Sequence, residues 1–330
     1  MDTRAFGSTG YEVTEIGLGT WNVGPSWGEA SDEQCREAIR TALDDGVNFL
    51  DTAEVYGDGR AERLIGEVLD ERDPDRRIYV VTKAAPDSDG GHSEAGLRSS
   101  VAGSQDRLGV DSLDLVQLHC PETHAYYDPD PFRVLEQLRE EGEIDHAGVS
   151  VEKVEQATKA IEYDVVETVQ IIFNPLRQRP AERFFERAAS EDVGVIVRVP
   201  LASGLLADAF ESPEDFDEGD HRRTAAEEGV AAGVGREGGE TFAGVPFEDG
   251  LRAVADLRPF VPDEATMAQF TLRWILDHDA VSTVIPGSTT PEHVGENDDA
   301  ADLAPLSHQT HGAVRDIYEE HVADFVHHRW

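Results

Sequence analysis

Eight short apolar runs recur along this chain, and each gap between neighbours is long enough to hold a helix. The runs fall at 15–19, 47–50, 78–82, 113–118, 145–149, 168–172, 193–198 and 281–285. Helix-like segments lie between them, at 32–43, 61–69, 94–108 and 132–140 among others. Two of these carry start signals: Ser31 followed by Gln34 has capping-box spacing, and Pro131 suits a first helical turn. Strands alternating with helices imply a parallel sheet with crossover connections. Eight of them point to α/β architecture closed as a (β/α)8 TIM barrel. An open doubly wound sheet is the rival, but it uses fewer strands and a glycine-rich first turn. Residues 4–13, turned at Gly7-Ser8-Thr9-Gly10, read as a β-hairpin ahead of the first barrel strand. With no internal repeat or linker in view, 1–330 reads as a single domain.

The alternation breaks once, in a long loop at 202–246 after the seventh strand, rich in Gly, Ala, Asp and Glu. So long a stretch of weak periodicity in a compact domain is expected to be a lid or a mobile loop over a site. The tail, 306–330, reads as a helix with an aromatic end.

Charge narrows the function classes. There are 68 acidic against 28 basic side chains, a net charge of −40, and the acids are spread along the chain rather than gathered in a tail. Regular apolar runs exclude a disordered polyanion. Dispersed acidity on a folded domain suggests solubility by surface charge, as in halophiles. Nucleic acid and anionic membrane surfaces would be repelled, so neither is expected as a partner. Lysine is nearly absent: Lys83, Lys153 and Lys159 are the only three. Cys35 and Cys120 have no disulfide or zinc spacing, which fits a reducing cytoplasm. No signal segment opens the sequence, and no apolar run reaches the ~20 residues of a membrane span.

Four polar residues stand at or just past three strand ends: Asp51 and Tyr56, Lys83, and His119. In a parallel barrel those ends converge on one face, where chemistry is done. A free phenol, with a pKa near ~10, exchanges protons poorly at neutral pH. A neighbouring ammonium would favour the phenolate, and a carboxylate would hold that ammonium in place. The imidazole could orient and polarise a carbonyl. Asp51 and Lys83 could instead be a buried ion pair bracing the barrel mouth. Taken singly each residue is more often structural; together at three strand ends they favour function. Cys120, next to His119 on a strand, should point the other way and pack. His327 and His328 lack a partner cluster, so a frayed tail is expected there and no metal site. Gly17-Leu18-Gly19-Thr20 lacks the third glycine of a dinucleotide fingerprint and reads as a tight strand exit beside a ligand.

Asp51-Thr52-Ala53-Glu54-Val55-Tyr56-Gly57 and the following Glu62-Arg63-Leu64-Ile65-Gly66 resemble the aldo-keto reductases. So do Val81-Thr82-Lys83, Asp114 through His119, Gly148-Val149-Ser150, and Ile285-Pro286-Gly287 with Glu296-Asn297. The resemblance runs from Gly17 to Asn297. It implies a barrel whose bottom is plugged by the N-terminal hairpin, and reversible carbonyl reduction by NADP(H), less often NAD(H), without metal. Tyr56 would be the general acid, Lys83 would lower its pKa, Asp51 would hold Lys83, and His119 would orient the carbonyl. Ser150 and Gln170 would contact the nicotinamide amide, Leu201 and Ser203 the pyrophosphate, and Glu296 and Asn297 the adenine. Gly19 and Thr20 would border the nucleotide, and Trp21 would wall the substrate pocket.

Three departures accompany the match. Val151 stands where the family commonly has Asn. Arg198 replaces the aromatic residue that stacks on nicotinamide, and its flat guanidinium could take that place. The positions that often carry cations for the 2′-phosphate read Gly287, Thr289 and His293, with Ser288 alongside, so NADP(H) preference should be modest. The leading expectation is a carbonyl reductase acting on a small molecule. A sugar or alcohol dehydrogenase running the same site in reverse is a second reading, and a nicotinamide-binding redox-sensing subunit a third. Trp27, Tyr126, Tyr127 and Phe210 could line an apolar substrate pocket or pack under loops.

Overall fold

The structure is a computed structural model, described for residues 2–24, 30–72, 76–234 and 239–329. Strands β1 (Thr3–Ala5) and β2 (Glu12–Thr14) form the antiparallel hairpin. Eight parallel strands follow: β3 (Leu18–Gly19), β4 (Phe49–Asp51), β5 (Tyr79–Ala84), β6 (Leu113–His119), β7 (Ile144–Ser150), β8 (Thr168–Ile172), β9 (Gly194–Arg198) and β10 (Thr283–Val284). They pair in chain order, and the sheet closes on itself between β3 and β10. There the Gly17 amide donates to the Val284 carbonyl (2.9 Å) and the Val284 amide to that of Glu15 (2.9 Å). Each of the eight apolar runs forms a strand, shifted or trimmed by a few residues. The helix at Asp32–Asp44 starts on the Ser31/Gln34 capping box, and that at Asp130–Glu141 has its proline in the first turn.

Period-two alternation sorts the barrel interior into layers. Phe49, Val81, Leu115, Ile196 and Ile285 point inward and form an apolar floor with Phe6 and Val13 of the hairpin. Phe6 meets Phe49 edge-on at 5.4 Å between centroids. Gly7 has a left-handed φ of +55°, and a Cβ there would lie 2.2 Å from the Gly194 nitrogen, so the plug seats only with glycine at that position. Two residues further along the same strands come Asp51, Lys83 and Arg198, with His119 two steps beyond Gln117 on β6. The apolar floor and the polar residues at the mouth are thus one periodic pattern.

Segment 202–246 is more structured than its composition suggests. Its described part contains the helix His221–Glu228 and several single turns. Phe216, Phe242 and Phe247 are buried against one another, with Phe210 4.3 Å from Phe216 between centroids. The tail is packed rather than frayed. Val326 is buried, and the His327 ring and the Tyr318 hydroxyl hydrogen bond at 3.1 Å.

Candidate active site

At the C-terminal mouth Lys83 is wholly buried. Its ammonium donates to Asp51 (2.8 Å), to the Thr52 carbonyl (2.8 Å) and to the Tyr56 hydroxyl (3.2 Å). The register places the lysine. Asp51 pairs with Val81, so Lys83 lies one pleat above its carboxylate partner. Gln170 completes the cage, its amide donating to the other Asp51 oxygen at 2.7 Å. The His119 ring stands nearly perpendicular to that of Tyr56, 6.0 Å between centroids. All four sequence-predicted catalytic residues therefore meet. The rest of the motif is scaffold: Glu54 accepts from the Ala85 amide (2.6 Å), and Glu62 accepts from Thr82 (2.6 Å) and Arg107 (2.5 Å). Gly66 lets two helices touch, since a Cβ there would lie 2.7 Å from the Leu108 carbonyl oxygen.

The electrostatics differ from the expected lowering of the phenol. Burial pushes Tyr56 well above the ordinary phenol range, and the negative charges of Asp51 and Glu240 add to the rise. Burial likewise holds Lys83 below its usual value. His119 is pushed well down by burial, then by the Lys83 and Arg198 charges. The site thus presents a protonated phenol and a neutral imidazole.

A cleft of about 480 Å³ runs outward from Tyr56. Of the predicted nucleotide residues, Gly19, Gln170, Arg198, Leu201, Ser203, Gly287, Ser288, Thr289, His293, Glu296 and Asn297 line it, as does Trp21. Thr20 and Ser150 do not. Thr20 is buried and donates to the Asp51 carbonyl (2.9 Å), while Ser150 is buried beside Gln170, its register partner on the next strand, its hydroxyl 3.5 Å from the amide oxygen. Val151 is a core residue. Phe210 lines the cleft; Tyr126 is fully buried elsewhere, and Tyr127 is exposed on the surface over Lys159. Trp27 lies outside the described residues.

Cys120 corrects another expectation. Its φ is +48°, so strand alternation ends at His119 and the thiol turns toward the site. It lies 3.6 Å from the Ser150 hydroxyl and 3.5 Å from an Arg198 nitrogen, and burial pushes it up to about 11. Val199, Ala202, Ser203, Phe242 and Ala243 also have positive φ, all in the loops around the cleft. Strained backbone in non-glycine residues clusters at functional sites.

Two charged residues of the site, both in the 202–246 segment, escape a reading of the sequence. Arg222 lines the cleft, bound to Asp220 at 2.6 Å and lying over the Phe210 and Phe216 rings. Asp220 immediately before a helical stretch is the available signal, being a good N-cap residue. Glu240 is ion-paired with Arg198. Only the need of a strand-end arginine for a counter-ion hints at it, and nothing in the sequence says which acid serves.

The aldo/keto reductase family profile matches residues 15–319. An aldo-keto reductase of Bacillus subtilis is 27% identical over 299 residues, covering 88% of this chain and 86% of its own. The NADH-specific methylglyoxal reductase of Escherichia coli is 25% identical, covering 90% of this chain and 92% of its own. Among solved structures, the glycerol dehydrogenase of Gluconobacter oxydans superposes with a TM-score of 0.79 at 26% identity, over 97% of this chain and 96% of its own.

Proposed function

The chain belongs to the aldo/keto reductase family of oxidoreductases, and we propose that it reduces an aldehyde or ketone to an alcohol with NAD(P)H. The observation that carries this reading is the Lys83 ammonium, which bridges Asp51 and the Tyr56 hydroxyl at the inner end of the cleft. Tyr56 donates its proton to the carbonyl oxygen. Lys83, fixed by Asp51 and the Thr52 carbonyl, stabilises the phenolate that is left. His119, kept neutral by burial, donates a hydrogen bond to the same oxygen and sets the carbonyl's direction. The nucleotide, when bound, supplies the hydride to the carbonyl carbon.

The cleft suits an extended dinucleotide. Its walls at the barrel seam are bare backbone: a Cβ on Gly287 would lie 2.3 Å from the Asn22 side-chain oxygen, and one on Gly19 2.9 Å from the Ile285 carbonyl oxygen. Ser288 and Thr289 stand just ahead of the helix Pro291–Asp298, whose N-terminal end favours a phosphate group. Cation-poor as that end is, it supports NADP(H) favoured modestly, with NAD(H) accepted. A dehydrogenase reading uses the same atoms in reverse, and the likeness to a glycerol dehydrogenase favours keeping it. In that direction Tyr56 would act as the base, and its raised pKa moves that role toward alkaline pH. The dispersed acidity and scarce lysine lead us to place the enzyme in a salt-rich cytoplasm.

The test is turnover of a panel of aldehydes and ketones with NADPH and NADH, followed by loss of the reduced nucleotide. A protein that binds nucleotide but turns over no carbonyl would count for the redox-sensing reading instead.

A further inference from the structure

Arg198 closes β9 at the inner end of the cleft, beside Gln170 and Tyr56. Its guanidinium is almost fully enclosed, with 9% side-chain exposure against 14% for Glu240. One terminal nitrogen is ion-paired with Glu240; the other donates to the Val151 carbonyl (3.3 Å) and the Cys120 thiol (3.5 Å). The Nε–H is buried and has no acceptor among the described residues. The carboxylate arrives from far along the chain, on a stretch whose backbone is anchored independently of it. Buried Arg177 donates to the Gly239 (3.2 Å) and Ala243 (2.8 Å) carbonyls, and the Phe242 amide donates to the Ser203 hydroxyl (3.3 Å). Glu240 is therefore not required as a latch. What it contributes is a negative charge against a buried positive one.

We propose that Glu240 is a positioning residue which, by neutralising Arg198, sets the relative affinity of the cleft for oxidised and reduced nicotinamide nucleotide. The inference rests on the reading that such a nucleotide binds here. Hydride and proton go to adjacent atoms of one carbonyl, so the reacting ring must lie near Tyr56 and hence near Arg198. The ring is neutral when reduced and carries a positive charge when oxidised, while the rest of the nucleotide is the same in both. Without Glu240, Arg198 would keep only the weaker influence of buried Glu152, and its surplus positive charge would disfavour the oxidised form relative to the reduced one. With Glu240 in place, the pair presents little net charge and the site tolerates both. The pair's reach is visible at Tyr56, whose phenol is raised by Glu240 and lowered by Arg198.

The isosteric Glu240→Gln variant tests this, with dissociation constants for NADP⁺ and NADPH measured by titration on the full chain. Oxidised nucleotide should weaken by about tenfold while reduced nucleotide changes by less than about threefold, as one buried unit charge near the ring requires. Glu240→Asp should restore much of the wild-type ratio. The pH profile of alcohol oxidation should also move to lower pH in Glu240→Gln, because a negative charge near Tyr56 is gone. Equal weakening of both nucleotides would assign Glu240 a purely structural role and overturn the proposal; so would an unchanged ratio. A wild-type protein that binds neither nucleotide would instead overturn the functional reading on which the inference stands.

Discussion

The two ends of the cleft are built on different principles. The inner end is dense in buried charge: Asp51, Lys83 and Arg198 are all enclosed, and each has a partner of opposite sign. The outer end, between β10 and the helix Pro291–Asp298, offers hydroxyls, backbone and an exposed His293. Chemistry at the inner end needs groups held to fractions of an ångström, and strand ends in a closed barrel supply that rigidity. The outer end only has to grip a ligand's tail, and loops with adaptable donors suffice.

The difference also governs what the amino-acid sequence can reveal. Strand runs and their inward-facing positions follow from a period of two, so Asp51, Lys83 and His119 are legible as a group from the sequence alone. Tyr56 follows because its loop leaves the same strand end. Glu240 is not legible, since its segment has no periodicity and its partner lies 42 residues away. Cys120 departs from expectation because alternation stops one residue short of it, where the backbone turns left-handed. The sign of the Tyr56 shift differs from expectation for another reason. Lysine proximity can be inferred from spacing, but the burial that raises the phenol against the lowering charge of Arg198 depends on the whole barrel.

The largest effect is expected at the inner end. Tyr56→Phe keeps the ring and removes the proton, so carbonyl reduction should fall by ~10²–10⁴-fold with nucleotide affinity nearly unchanged. Turnover above a third of wild type would take the general-acid role away from Tyr56.

Asp51→Asn comes next and asks whether the inner charges also hold the fold. The variant leaves the Lys83 ammonium buried without its carboxylate, and breaking such a pair costs about 3–5 kcal/mol. Denaturant unfolding should show a loss in that range, together with reduced turnover. A stability within about 0.5 kcal/mol of wild type, the ordinary range for a harmless surface change, would mean that the pair carries no structural load.

At the outer end the expected effect is smaller. Ser288 and Thr289 can hold a 2′-phosphate, but without a charge-assisted bond, so NADPH should be favoured over NADH by no more than about a hundredfold. Placing a cation there with His293→Arg should widen the ratio by roughly tenfold or more, since a hydrogen bond to a charged group contributes about 1.5–3 kcal/mol. Dissociation constants for both nucleotides in both proteins decide it. A thousandfold preference already present in the wild type would point to Arg222, across the cleft, as the phosphate's partner.

The smallest effect separates buried charge from exposed charge. The surface carries the bulk of the −40, and many of its arginines are already engaged. Arg36, Arg40 and Arg98 each bind two or more carboxylates. Exposed pairs of this kind contribute about 0–1 kcal/mol each, too little to offset the repulsion among the remaining acids. Salt near 1 M shrinks the screening length to about 3 Å and should relieve that repulsion. The melting temperature should therefore rise by several degrees between dilute buffer and molar KCl. The Asp51–Lys83 pair is buried, with side-chain exposures of 3% and 0%, and buried pairs are screened little, so the Asp51→Asn penalty should be nearly the same in both solutions. A flat melting curve would leave the surface acidity as an aid to solubility alone. A penalty that vanished in salt would show that the inner end is far more open to solvent than its burial implies.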